Sequence, residues 1–76
     1  MAPNLAHVSK TTSSEALATR LLAQAKAQGG LRRLSRESGI AYSTLRDQLV
    51  YHPDRLTAVN VFRITSALNV ELSEVV

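Results

Sequence analysis

The segment LRRLSRESGIAYSTLRDQLV, from Leu31 to Val50, decides the fold. It consists of two short runs with helical spacing of apolar residues, separated by Gly39. Glycine adopts a positive φ without steric strain, so Gly39 suits a tight turn. The pattern therefore predicts a short helix, a turn and a second short helix, which is a helix-turn-helix arrangement.

Apolar residues in this segment are spaced to hold the two helices together. We expect Leu34, Ile40 and Leu45 to pack against one another. Ser35 is expected to face the second helix, where a small side chain permits close approach. The second helix of the pair is predicted from Tyr42 to Tyr51.

The region before this segment predicts one longer helix. Thr12 to Glu15 spells T-x-x-E, the pattern of a capping box at a helix start. The helix is expected to reach about Gln28, where a pair of glycines ends it. Met1 to Thr11 shows no helical or strand periodicity, so we expect a flexible arm at residues 1–11 and a folded domain at residues 12–76.

The region after this segment predicts a turn and another helix. A helix cannot continue into Pro53, because the residue before a proline is pushed out of the helical region. Thr57 suits the N-cap of a helix that extends to about Leu68. Asn69 suits a left-handed C-cap.

The last seven residues, Val70 to Val76, predict a final helical turn. We expect Leu72 and Val75 to point inward from it. The expected architecture is therefore all-α, with five helices around one core. The apolar stripe expected to form that core comprises Leu17, Leu21, Leu45, Leu49, Val61, Ile64, Leu68 and Leu72.

Composition restricts the class of protein. The chain has 76 residues, of which 45% are hydrophobic, and no cysteine, so we expect one domain without disulfides or thiolate metal sites. No apolar run reaches the roughly 20 residues of a membrane span, so we expect a cytoplasmic protein with no membrane partner. Nine Lys and Arg against six Asp and Glu give a net charge of +3, which permits binding to a polyanion.

Catalysis is not expected. The two histidines, His7 and His52, lie in different segments without the carboxylate spacing of a metal site or a triad. We therefore expect no enzyme activity, no cofactor, no metal and no small-molecule substrate. His52 is interpreted as a residue that interacts with a helix C-terminal dipole, or alternatively as a phosphate contact.

The sequence resembles the helix-turn-helix family of phage Cro proteins and lambda-type repressors. The resemblance rests on Leu31 to Val50 and on LTAVNVFRITSALNVELSEVV, which looks like the fourth and fifth helices of that family. It covers about Thr12 to Val76 and implies a compact five-helix lambda-repressor-like domain. Three positions depart from the usual family residues, which are alanine, a Ser or Thr cap and often an apolar residue. They are Ser35, Ala41 and Gln48.

The resemblance implies that the third helix of the domain, Tyr42 to Tyr51, enters the major groove and meets base edges with its N-terminal residues. The implied base contacts are Tyr42, Ser43, Arg46 and Asp47. Arg46 can donate two hydrogen bonds to guanine O6 and N7, and Asp47 can accept one from cytosine N4. Two alternatives remain open, a solvated surface pair of Arg46 with Asp47 and a Tyr42 that packs on a sugar.

The same geometry implies contacts with the phosphate backbone. The helix that begins near Leu31 carries an exposed arginine cluster that would lie over phosphates. A threonine of the Tyr42 to Tyr51 helix lies near the sugar-phosphate backbone. Such a cluster is also common on a face that is merely solvated. The implied phosphate contacts are Arg32, Arg33, Arg36 and Thr44. Lys10 and the arm could also reach DNA, although the sequence favours a disordered arm.

We therefore expect a sequence-specific regulator of transcription that binds duplex operator DNA, of the Cro repressor type, in a bacterial or phage-infected cell. Alternatives are an antitoxin or excision-type accessory DNA-binding protein, and a protein-interaction module that uses the third helix. We expect weak or DNA-assisted homodimers, with two copies on half-sites about 34 Å apart. The expected contact between copies is Glu71 to Val76, where Val76 would stay exposed once Leu72 turns inward, with Val75 as an alternative contact residue.

Overall fold

A computed structural model describes residues 13–75, and all of its regular structure is helical. Four helices account for most of this range, so the all-α class is confirmed. Two 3-10 turns, Pro53–Arg55 and Leu72–Glu74, follow the third and fourth helices. The helices are α1 (Ser14–Ala27), α2 (Leu31–Ser38), α3 (Tyr42–Arg46, continued by a π-helical turn at Asp47–Tyr51) and α4 (Ala58–Leu68).

The expected count of five helices is not confirmed. Within residues 13–75 the segment after α4 contains a single 3-10 turn in place of a fifth helix. Glu71 and Glu74 form a reciprocal capping box around that turn. The arm at residues 1–11 and the predicted cap Thr12 lie outside the described residues.

The start of α1 differs from the predicted capping box by one residue. Ser13 is the N-cap, and its Oγ accepts a hydrogen bond from the Ala16 amide at 3.2 Å. Glu15 consequently lies in the first turn as the second helical residue, one position short of the capping-box glutamate. A carboxylate there still interacts favourably with the positive end of the helix dipole.

The turn between α2 and α3 follows the prediction. Gly39 has φ +77°, the left-handed conformation that glycine adopts most easily. The Ser35 hydroxyl donates to the Ile40 carbonyl at 2.6 Å, and the Ser38 hydroxyl accepts from the Ile40 amide at 3.2 Å. These two hydrogen bonds hold the backbone of the turn, so Ser35 stabilises the turn directly.

The caps of α4 are confirmed. The Thr57 hydroxyl accepts from the Asn60 amide at 3.1 Å, and Asn69 ends the helix with φ +58°. Leu56, on the N-terminal side of the cap, packs against the core that includes Val61, as a hydrophobic staple requires.

One core joins the four helices. The small residues Ala18 and Ala25 let α1 approach its neighbours, while leucine and isoleucine fill the centre. Leu17 is half-buried at the margin of this core. The buried apolar residues are Ala18, Leu21, Ala25, Leu34, Ile40, Leu45, Leu49, Val61, Ile64, Leu68 and Val75.

The prediction that Leu72 points inward is wrong. Leu72 is 52% exposed, whereas Val75 is 1% exposed. The 3-10 turn presents Val75 to the core, and the Arg20 guanidinium donates to the Val75 carbonyl at 3.2 Å. This bond ties the chain after α4 to α1. The predicted inward orientation of Val75 is therefore confirmed.

None of the helices in the described range is long and apolar enough to cross a membrane.

Candidate nucleic-acid interface

The N-terminal half of α3 presents the residues predicted to meet base edges. Ser43 and Arg46 are exposed, while Tyr42 and Thr44 are half-buried. Ala41 is the N-cap and has no side-chain oxygen to accept a hydrogen bond from the first turn. The missing cap is worth about 1 kcal/mol, which the burial of Leu45 in the core offsets.

Arginine and tyrosine side chains alternate across α2 and α3. The Arg32 guanidinium carbon lies 4.5 Å from the Tyr42 ring centroid. The Arg46 guanidinium carbon lies 5.9 Å from the same ring and 5.3 Å from the Tyr51 ring. We call Arg32, Tyr42, Arg46 and Tyr51 the Arg–Tyr ladder. Cation–π contacts at such distances are worth about 0.5–1 kcal/mol each at exposed sites, so the ladder keeps two cations in place on the surface.

Tyr51 also forms a hydrogen bond with Arg46 within the ladder. Its hydroxyl accepts from Nη2 of Arg46. The phenol is 58% exposed, so burial in the core does not account for its position. Arg46 is thereby flanked by two rings and hydrogen-bonded to one of them.

Asp47 is held at the C-terminal end of α3. Its Oδ1 lies 2.6 Å from Nδ1 of His52 and 3.4 Å from Nη1 of Arg55. The hydrogen bond to His52 is the main cause of a lowered pKa of the Asp47 carboxyl, and the charge of Arg55 contributes. The carboxylate therefore links α3 to the 3-10 turn at Pro53–Arg55. Its predicted role as an acceptor for cytosine N4 stays a prediction. Oδ1 already contacts His52 and Arg55, so a cytosine would have to share that oxygen with them.

His52 has a more specific role than the predicted dipole interaction. It is the C-cap of the π-helical turn, and its backbone amide donates to the Asp47 carbonyl at 2.6 Å. Its ring pairs with the Asp47 side chain. The same two residues are thus joined through both backbone and side chains.

The arginine cluster of α2 is exposed, as predicted. Nε of Arg33 donates to Oε2 of Glu37 at 2.9 Å, one helical turn further on. The Arg33 chain also covers Gly29, because a Cβ built on Gly29 would lie 2.8 Å from Arg33 Cδ. Arg36 is exposed on the same helix. The cluster therefore presents cations to solvent, with Arg33 partly neutralised by Glu37.

Gln48 has a structural partner. Its Oε1 accepts from Nδ2 of Asn60 at 2.9 Å. The bond joins the π-helical turn of α3 to the first turn of α4. The polar side chain of Gln48 therefore fixes α3 against α4.

The structure brings some of the predicted residues together and leaves others apart. Arg32, Tyr42 and Arg46 meet in the Arg–Tyr ladder. Asp47 pairs with His52 and Arg55, so the alternative of a surface pair between Arg46 and Asp47 is not what the structure contains. Sequence reasoning did not identify Tyr51, which follows Arg46 by five residues and would lie on another side of a regular α-helix.

Comparison of the chain with protein-family models, with curated proteins and with solved structures finds no match.

Proposed function

We propose that the protein is a sequence-specific duplex DNA-binding regulator of transcription, of the Cro repressor type, which acts by occupying an operator. The observation that carries the proposal is the Arg–Tyr ladder, which holds Arg32 and Arg46 against the same Tyr42 ring on the exposed surface of α2 and α3. A planar guanidinium matches both phosphate and guanine geometry, so this surface suits duplex DNA.

In the proposed complex α3 lies in the major groove. Arg46 donates to a guanine edge, and the exposed Ser43 hydroxyl lies on the same side near the helix start. Tyr42 stacks on Arg32 and is half-buried, which favours contact with a sugar over contact with a base edge. Asp47 contributes mainly by holding the end of α3.

In the same complex α2 follows the phosphate backbone. Arg32, Arg33 and Arg36 set the position of the domain, and Thr44 adds a hydroxyl near the sugar-phosphate chain. Arg33 exchanges its partner Glu37 for a phosphate on binding. An exposed i,i+4 pair contributes only about 0.3–0.5 kcal/mol, so this exchange is easily offset by a charge-assisted bond to phosphate.

The proposed assembly is a pair of copies that forms on DNA. One such domain buries about 600–1,000 Å² of its surface on DNA, which rarely gives operator selectivity alone. The contact between copies was expected to use Val76, with Val75 as an alternative. Val75 is buried, and the exposed apolar residue of that segment is Leu72, so Leu72 replaces Val75 in the proposed contact. Val76 lies outside the described residues.

A different class of function, a protein-interaction module that uses α3, gives a different salt dependence. Phosphate contacts make affinity fall steeply with salt, whereas an apolar interface does not. An antitoxin or excision-type accessory protein would bind duplex DNA as well, and the location of its site relative to genes would separate it from a repressor.

The test is selection of bound sequences from a pool of duplexes with a randomised central segment. We expect the wild-type protein to enrich one motif, and its affinity for that motif to fall linearly on a plot of log affinity against log salt. Failure to enrich any motif at low salt would contradict the proposal. Enrichment of a motif from a single-stranded pool, but not from the duplex pool, would also contradict it.

A further inference from the structure

The second half of α3 is wound as a π-helical turn, Asp47–Tyr51. In such a turn the backbone hydrogen bond joins residues five apart, here the His52 amide and the Asp47 carbonyl. Two side-chain pairs have the same separation, Arg46 with Tyr51 and Asp47 with His52. On a regular α-helix, residues five apart are rotated by about 140°, so neither pair would share a face. The π-helical turn therefore creates both pairs.

The first pair acts on the residue proposed to contact a base. Tyr51 accepts a hydrogen bond from Nη2 of Arg46, and its ring lies 5.3 Å from the guanidinium carbon. Tyr42 lies against the same guanidinium at 5.9 Å. A guanidinium has five N–H donors in one plane, so fixing one donor and the adjacent rings leaves the remaining donors in a defined direction.

From this geometry we infer that Tyr51 is a positioning residue that sets base preference through Arg46, without contacting a base itself. The inference rests on the proposed function and adds to it. An arginine that is oriented before binding loses less side-chain freedom when it pairs with guanine O6 and N7. A guanine is thereby favoured over the other bases at one position, while binding to arbitrary duplexes depends on the phosphate contacts of α2.

The test compares two substitutions of Tyr51 on the randomised duplex pool. Tyr51→Phe keeps the ring beside Arg46 and removes the hydroxyl, and Tyr51→Leu removes both. We expect Tyr51→Phe to reduce discrimination at one base pair about two- to tenfold, the usual range for one hydrogen bond, and Tyr51→Leu to reduce it further. Affinity for a duplex of unrelated sequence is expected to change less than about twofold in both variants.

Two comparisons separate positioning from other roles. In an Arg46→Ala background, Tyr51→Phe should have no further effect on discrimination, because its action passes through Arg46. Phe62→Tyr is the matched control, because it changes one hydroxyl on a ring that is 72% exposed on α4. Thermal unfolding of each variant checks that the fold is retained, as expected for a residue that is 58% exposed.

The base pair affected by Tyr51→Phe should be the one affected by Arg46→Ala. The inference would be overturned if Tyr51→Phe discriminated between bases as well as the wild-type protein. It would also be overturned if Tyr51→Phe still changed discrimination in the Arg46→Ala background, or if it lowered affinity equally for all sequences. A wild-type protein that enriches no motif would instead contradict the proposed function, so the two failures are distinguishable.

Discussion

Replacing Arg33 with alanine tests the role of α2 on the phosphate backbone. Arg33 is exposed, and its one ion pair within the described residues is with Glu37 at 2.9 Å. Each phosphate contact contributes about 0.9 to the slope of log affinity against log salt. If Arg33 makes one such contact, the slope of Arg33→Ala is flatter by about 0.9. On raising salt fourfold, the wild-type protein then loses about 3.5 times more affinity than the variant.

The effect on folding should be much smaller. An exposed i,i+4 pair is worth about 0.3–0.5 kcal/mol, which corresponds to a fall in Tm of about 1–4 °C for a domain of this size. Fluorescence anisotropy of a labelled duplex at several salt concentrations measures the slope, and thermal unfolding measures Tm. Arg63→Ala removes the same charge from an exposed position on α4 and serves as the control.

Two results would refute this account of Arg33. An unchanged slope would mean that Arg33 does not contact a phosphate. A loss confined to one sequence would assign Arg33 to base recognition. The Arg63→Ala control should change the slope by much less than 0.9, because a cation that contacts no phosphate releases no bound counterion.

Three further predictions follow from single residues. Arg46→Ala should lose about 1–3 kcal/mol of discrimination at one base pair, measured on duplexes that differ at that pair, and an unchanged preference would remove Arg46 from the base contacts. Gly39→Ala should destabilise the fold by about 1–2 kcal/mol in chemical denaturation, because an alanine is strained at a φ of +77°. No neighbour lies within 4 Å of the added Cβ, so the loss would come from the backbone conformation alone. A neutral result would mean that the turn relaxes. The Asp47 pKa lies below its ordinary value of 3.8, so its contribution to stability is present above that value and is lost as pH falls through the lower folded value. The difference in unfolding free energy between the wild-type protein and Asp47→Asn should therefore shrink on acidification, and a constant difference would contradict the pairing with His52.

Much of the fold follows from local signals in the sequence. Gly39, Thr57 and Asn69 have the predicted backbone roles because each depends on its own conformational preference or on an adjacent amide. The helical spacing of apolar residues predicts that Leu34 and Leu45 are buried, and both are. These features need no information about distant parts of the chain.

Other features depend on contacts that sequence spacing does not contain. Leu72 and Val75 are both apolar, and the choice between them depends on a 3-10 turn and on Arg20, which is 55 residues away from Val75. Ser13 and Thr12 are both good caps. The T-x-x-E spacing favoured Thr12, whereas Ser13 is the N-cap in the structure. A regular period of 3.6 residues places Tyr51 on another face of the helix from Arg46, and nothing in that periodicity indicates the π-helical turn.

Footprinting on the DNA that flanks the protein's own gene tests the central claim most directly. We expect protection of one discrete duplex site, with two protected half-sites about 34 Å apart, and loss of that protection in Arg46→Ala. Uniform coverage of the DNA without a preferred site, or a protected site that Arg46→Ala leaves unchanged, would contradict it.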